Sequence, residues 1–228
     1  MKKTVINTAL VAVIVMATKA YSQGFANLDF EHPILPLNPV FNTVSATNAI
    51  PHWSAYYSTS TFTNQAGSIA YDTVSAGGAL IILEDSNAPG GPFPIQGSYS
   101  VFLEGASGIF GNNPTAASIG QTGTIPSTAQ SLTFYLGDLF GNVQVSFNGQ
   151  PLSFMAISNT LNYTIYGADI SAYAGQTGQL LFTAPLQTDA LLDNIQFSSL
   201  PVPEPSAIAL SALGTLFLGF RRWRNSSR

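Results

Sequence analysis

The sequence predicts an all-β protein: one β-sandwich, with a signal helix before it and a transmembrane helix after it. Three observations carry this. Short segments of alternating apolar and polar residues recur through the middle of the chain, clusters of Gly, Pro, Asn and Ser separate them, and no long amphipathic helix interrupts them. Setting the two ends aside leaves roughly 180 residues, enough for a single domain with a substantial core.

The chain begins Met1-Lys2-Lys3, a positive start. Residues 5–17 are apolar apart from Asn7 and Thr8, and Ala20 and Ser22 are small residues spaced as at a cleavage site before Gln23. Residues 1–22 therefore read as a secretory signal peptide, the substrate of the Sec export machinery, because the apolar stretch is too short for an anchor. The exported domain is assigned to 23–200.

Within it, 130–137 alternates Leu132, Phe134 and Leu136 against Thr133 and Tyr135, and 142–147 alternates Val143, Val145 and Phe147 against Gln144 and Ser146. Period-two alternation is the mark of half-buried strands. Asn148-Gly149 follows as a two-residue hairpin turn and leads into a strand at Leu152 and Phe154. Further strands are expected at 68–74, 79–84, 98–103, 161–166, 180–183 and 191–198, with loops at 87–94, 111–114 and 175–178. This spacing of short strands argues for a sandwich.

Charge is segregated. All seven basic residues lie at the ends: Lys2, Lys3, Lys19, Arg221, Arg222, Arg224 and Arg228. Ten acids lie between residues 21 and 200: Asp29, Glu31, Asp72, Glu84, Asp85, Glu104, Asp138, Asp169, Asp189 and Asp193. The exported part is thus near −10, although the whole chain is −4. With nothing to neutralise phosphates, a nucleic-acid partner is excluded. No acid in the domain has a Lys or Arg to pair with, so a buried one must be hydrogen-bonded, protonated or metal-bound. There is no cysteine, which removes disulfides, thiol nucleophiles and Cys-based zinc sites.

The tail, 202–228, has three parts: Val202-Pro203-Glu204-Pro205-Ser206, an uncharged run over 206–220, and Arg221, Arg222, Trp223 and Arg224. As a helix the run spans roughly 22 Å, short of a core of about 30 Å, but the arginines can snorkel and Trp223 suits the headgroup level. The Arg cluster predicts a cytoplasmic end and places the rest of the chain outside. The two prolines hold Glu204 in an extended, accessible peptide. These parts in this order resemble the PEP-CTERM sorting signal of bacteria, assigned to 201–228. The resemblance implies recognition of Pro203, Glu204 and Pro205 by exosortase, a membrane-embedded cysteine protease. It also implies passage through the inner membrane, with Arg221, Arg222 and Arg224 as the membrane stop, and export to the cell surface or matrix with exopolysaccharide.

A second resemblance covers the exported domain. Asn27-Leu28-Asp29-Phe30-Glu31 is similar to the first strand of galactose-binding-like jelly rolls, a fold shared by many carbohydrate-binding modules. Leu192-Asp193-Asn194-Ile195-Gln196-Phe197 is similar to their closing strand, and Asp169-Ile170-Ser171 ahead of Leu180-Leu181-Phe182 also fits. The resemblance implies a jelly-roll-like sandwich and a structural calcium where first and last strands meet, with Glu31 and Asp193 as ligands. Asn194 stands where the family often has a second acid.

Catalytic signatures are absent from the sequence. His32 and His52 lack metal-protease spacing, there is no G-x-S-x-G, and Glu84 and Asp85, adjacent in a strand, point to opposite faces and read as solvated strand-end acids. Trp53, Tyr56 and Tyr57, with Tyr71, are candidates for a sugar-stacking platform, although aromatics in a β domain pack into the core by default. The expected function is a non-enzymatic surface or matrix protein that associates with exopolysaccharide, or else a structural matrix component without a ligand; a polysaccharide-modifying enzyme is the third and least favoured reading.

Overall fold

A computed structural model describes residues 24–37, 42–61, 63–73, 77–88, 93–106, 114–137 and 142–202. The expected signal peptide, Pro203, Glu204, Pro205, the apolar run and Arg221, Arg222 and Arg224 lie outside the described residues. Among those described, no helix is long and apolar enough to cross a membrane.

The strands are β1 (Thr43–Ser45), β2 (Ser54–Ser58), β3 (Thr63–Ala66), β4 (Ser68–Tyr71), β5 (Leu80–Glu84), β6 (Ser100–Glu104), β7 (Ala116–Thr124), β8 (Ser131–Gly137), β9 (Gln144–Phe147), β10 (Gln150–Pro151), β11 (Phe154–Asn159), β12 (Tyr163–Asp169), β13 (Thr177–Ala184) and β14 (Asp189–Ser198). The one α-helix described, α1 (Ala46–Ala49), is a single turn. Eight strands form one sheet in the order β1-β4-β5-β6-β14-β8-β12-β11, and six form the other in the order β10-β9-β13-β7-β2-β3. The domain is a two-sheet β-sandwich, as the alternation predicts.

Each sheet turns one face inward. In β8, Leu132 and Phe134 are fully buried while Thr133 and Tyr135 face away. Phe134 meets Phe182 of the opposite sheet edge-on, with ring centroids 5.4 Å apart. Asn148 and Gly149 have φ of 49° and 75°, the positive values that a type I′ turn requires, and Phe147 pairs with Gln150 across them. Strand β14, last in sequence, is central in space: it pairs with β6 on one side and β8 on the other.

Two features depart from the sequence reading. Residues 25–36 form no strand. Phe30 has φ of 58° and Asn27 49°, which breaks an extended run, and the segment instead packs beside β14, with Ile195 N–H donating to Leu28 O at 2.9 Å. The alternation in the sequence does not mark strands β1, β2, β3 and β7. β7 is Ala-Ala-Ser-Ile-Gly-Gln-Thr-Gly-Thr, poor in β-formers, yet it is paired along its length with β13.

Candidate functional site

The outward face of the six-stranded sheet is built by register. Ala55, Ala117, Ile119, Phe182 and Val145 point into the core, so their neighbours point out. A line of side chains then crosses five strands: Gln65 on β3, Tyr56 on β2, Ser118 on β7, Thr183 on β13 and Gln144 on β9. The next line holds Ser54, Gly120, Leu181 and Ser146. Hydrogen bonds hold the face in place. Gln179 Nε2 donates to the Tyr56 hydroxyl at 3.3 Å, the Ser118 and Thr183 hydroxyls lie 2.9 Å apart, and Gln65 Nε2 donates to Ser54 Oγ at 3.3 Å. A Cβ on Gly120 would stand 2.9 Å from Leu181 Cδ1 and 3.2 Å from Gln179 Nε2, so both side chains lean across that glycine.

None of the six strands contains a charged residue. Charged strand residues (Glu84, Glu104, Asp169, Asp189 and Asp193) all belong to the other sheet. This face therefore offers hydroxyls, amides, one phenol ring and one leucine, with no charge of its own.

Of the four aromatics expected to bind sugar, only Tyr56 lies on it. Tyr57, its neighbour, points inward and accepts from Ile81 N–H at 3.2 Å through its hydroxyl. Trp53 is 2 % exposed. Its ring packs between Phe30 and Phe182, and its Nε1–H donates to Asn27 O at 2.9 Å. The reason is local: Trp53 enters the sandwich just ahead of β2, where the largest side chain fills the end of the core. Tyr71 is on the eight-stranded sheet, where its hydroxyl donates to Asp85 Oδ2 at 2.7 Å.

Glu31 and Asp193, far apart in sequence, come to one loop, 95–100. Glu31 Oε1 accepts from Ser98 N–H at 2.8 Å and Tyr99 N–H at 3.0 Å. Asp193 Oδ2 accepts from Gln96 N–H at 2.9 Å and Ser100 Oγ at 2.8 Å, and Oδ1 from Asn194 N–H at 2.6 Å. Burial pushes the Asp193 carboxyl up to about 7; these three donors pull it down, and the Glu31 charge adds to the rise. Asn194 is engaged by Gln196 Nε2 on its oxygen and donates through Nδ2 to Gln96 Oε1.

Calcium takes six to eight oxygen ligands. Here Glu31 Oε1 and both Asp193 oxygens face N–H and O–H donors, and the described residues contain no group of three His, Cys, Asp or Glu that could hold a metal. The residues fit a hydrogen-bonded clasp between the N-terminal segment, the loop and β14, rather than a cation cage.

A second acidic group surrounds the end of β5. Asp72 Oδ1 accepts from Asp85 N–H at 2.9 Å, and Asp85 Oδ1 accepts from Asn87 N–H at 2.6 Å. Glu84, expected to be solvated, is fully buried, and neither carboxylate oxygen has a hydrogen-bond partner. Its register explains this. Glu84 shares a face with Ile82, part of an apolar cluster with Phe102 and Leu191 on the outer side of the eight-stranded sheet. Burial, and then the charges of Asp72 and Asp85, push its carboxyl up to about 8.

Comparison with known proteins bears out the resemblance of the tail to a sorting motif. Residues 201–224 match the PEP-CTERM protein-sorting motif, which implies processing by exosortase. No curated protein matches the chain. Two solved structures are similar over part of their length. One is the enzymatically active domain of bacteriophage CBA120 tailspike protein 4, at 10% identity and a TM-score of 0.38 over 78% of this chain. This chain spans 21% of that one. The other is a family 11 carbohydrate-binding module from Clostridium thermocellum, solved with a β-1,3-1,4-mixed-linked tetrasaccharide. It shows 9% identity and a TM-score of 0.35 over 68% of this chain and 94% of the module. Neither likeness is close enough to carry an argument about function.

Proposed function

From a chain whose tail carries an exosortase sorting motif, we propose an exported, non-enzymatic protein that associates with neutral exopolysaccharide through the outward face of its six-stranded sheet. It is made with a signal peptide, held at the inner membrane by its tail, and passes to the cell surface or matrix once processed. The observation that carries this is the sheet itself: in a domain with ten acids, all six of its strands are uncharged. Hydroxyls and amides suit glycan hydroxyls, and the Tyr56 ring suits the C–H face of a pyranose. A neutral chain would meet no like charge there.

The other reading, a structural matrix component without a ligand, is favoured by the way the face satisfies itself. Tyr56 is already bonded by Gln179, and Ser118 by Thr183. Retention of the exported domain on immobilised neutral glycans, including the host's own matrix polysaccharide, separates the two. Retention that Tyr56→Ala and Gln179→Ala abolish, with unchanged thermal melts, supports the binding role. A wild-type domain that no glycan retains leaves the structural role. Turnover of any polysaccharide would overturn both.

A further inference from the structure

The sandwich holds its own tail down to the last residue before Pro203. After β14, Gln130 Nε2 donates to Ser199 O at 2.8 Å, and Ser131 Oγ donates to Leu200 O at 2.7 Å. A Cβ on Gly167 would stand 3.1 Å from Val202 Cγ2 and 3.5 Å from Ile157 Cδ1. The chain thus crosses the outward face of the eight-stranded sheet, from β8 over β12 toward β11, and Val202 sits in the space that Gly167 leaves beside Ile157. Only Pro203, Glu204 and Pro205 separate Val202 from the apolar run that starts at Ser206. Four residue steps reach at most about 14 Å.

We infer that, while the tail is uncut, the β11 edge of the sandwich rests on the lipid headgroup layer. The inference depends on the reading of 206–220 as a membrane anchor. With the domain clamped at Val202 and the anchor about 14 Å away at most, the surface around Val202 lies against the bilayer. That surface is composed for it. Met155 and Ile157 on β11 are 39% and 36% exposed, Leu161 at the tip of the β11–β12 hairpin 93%, and Leu200 72%. Tyr135 and Tyr163, stacked with centroids 4.7 Å apart, lie on the same outward face, and tyrosine suits the headgroup level. No charged residue occurs between Asp138 and Asp169, the stretch that includes all of β11 and most of β12; the exposed Asp169, at the end of β12, borders this surface. β11 is also an edge strand, and an apolar edge left in water invites pairing with another chain.

The test uses the full mature chain, tail included, in vesicles of phosphatidylethanolamine and phosphatidylglycerol. The chain has no cysteine, so a single one can be labelled cleanly. A fluorophore at Ile157→Cys, or at Leu161→Cys should the first variant melt early, is compared with one at Asn64→Cys on β3, in the other sheet. Spin-labelled headgroups should quench the 157 label severalfold more than the 64 label. Twelve Gly/Ser residues inserted between Val202 and Pro203 should remove the difference. Equal quenching at both sites, in chains that float with the vesicles, overturns the inference and leaves the anchor standing. Quenching that depends on a second labelled copy overturns it in favour of edge-to-edge pairing. Chains that do not float overturn the anchor and the inference together.

Discussion

The Glu31 carboxylate occupies the space that a side chain on Gly97 would need. A Cβ there would overlap Glu31 Oε1, and Gly97 also holds φ at +67°, where side chains are strained. The loop can wrap the carboxylate, with Ser98 and Tyr99 N–H both turned to it, because residue 97 is glycine. Gly97→Ala should therefore cost about 1–3 kcal/mol, read as a lower urea midpoint. An unchanged midpoint would show that the loop has other ways to close.

Calcium should not be part of this clasp. Glu31 Oε1 and both Asp193 oxygens already accept from backbone and hydroxyl donors. The melting temperature of the exported domain should be the same in calcium and in chelator. A rise of several degrees with calcium would restore Glu31 and Asp193 as ligands.

Stability should fall as pH rises. Burial holds Glu84 up to about 8 and Asp193 up to about 7, whereas in the unfolded chain both ionise near 4. The folded state therefore binds more protons between about pH 4 and pH 8, and stability declines through that window. Urea midpoints should be higher at pH 5 than at pH 9, and Glu84→Gln should flatten the slope. A midpoint that climbs with pH would mean that these carboxyls are ionised and stabilised in the fold.

Trp53→Ala should unfold the domain rather than affect a ligand. It removes a ring packed against Phe30 and Phe182 and leaves Asn27 O without its donor. Loss of a buried aromatic of this size costs about 3–5 kcal/mol. Tyr56→Ala, on the outward face, should leave the melt within about 0.5 kcal/mol of wild type. Loss of glycan retention from Trp53→Ala with an intact melt would move the binding surface to the end of the core.

What the sequence shows depends on how each residue is buried. β8 and β9 are legible because large apolar side chains alternate with polar ones, and Asn148-Gly149 because few other pairs accept positive φ twice. β7 is hidden because Ile119 is the one large apolar residue on its core side, between Ala117 and Gln121. Gln121, a core-facing amide, reads as polar and outward, yet it accepts from Ala26 N–H and donates to Ala26 O. Tyr56 and Tyr57 could not be told apart because neighbours on a strand face opposite ways and nothing local says which side is core. Glu84 was misjudged because a second apolar cluster lies outside the sandwich, so its side of β5 is not solvent. The juxtaposition of Glu31 with Asp193 was legible through resemblance, but the loop that bonds both carboxylates was not.

The central place of β14 makes the larger sheet depend on the end of the domain. A chain exported N-terminus first, as proposed, would deliver β1 to β13 before the strand that joins β6 to β8. Until then the larger sheet exists only as two unjoined pieces, β1-β4-β5-β6 and β8-β12-β11. The N-terminal segment likewise lacks Ile195 and Phe197 to close against. A chain truncated ahead of residue 189 would lack the strand that joins the two halves of the larger sheet.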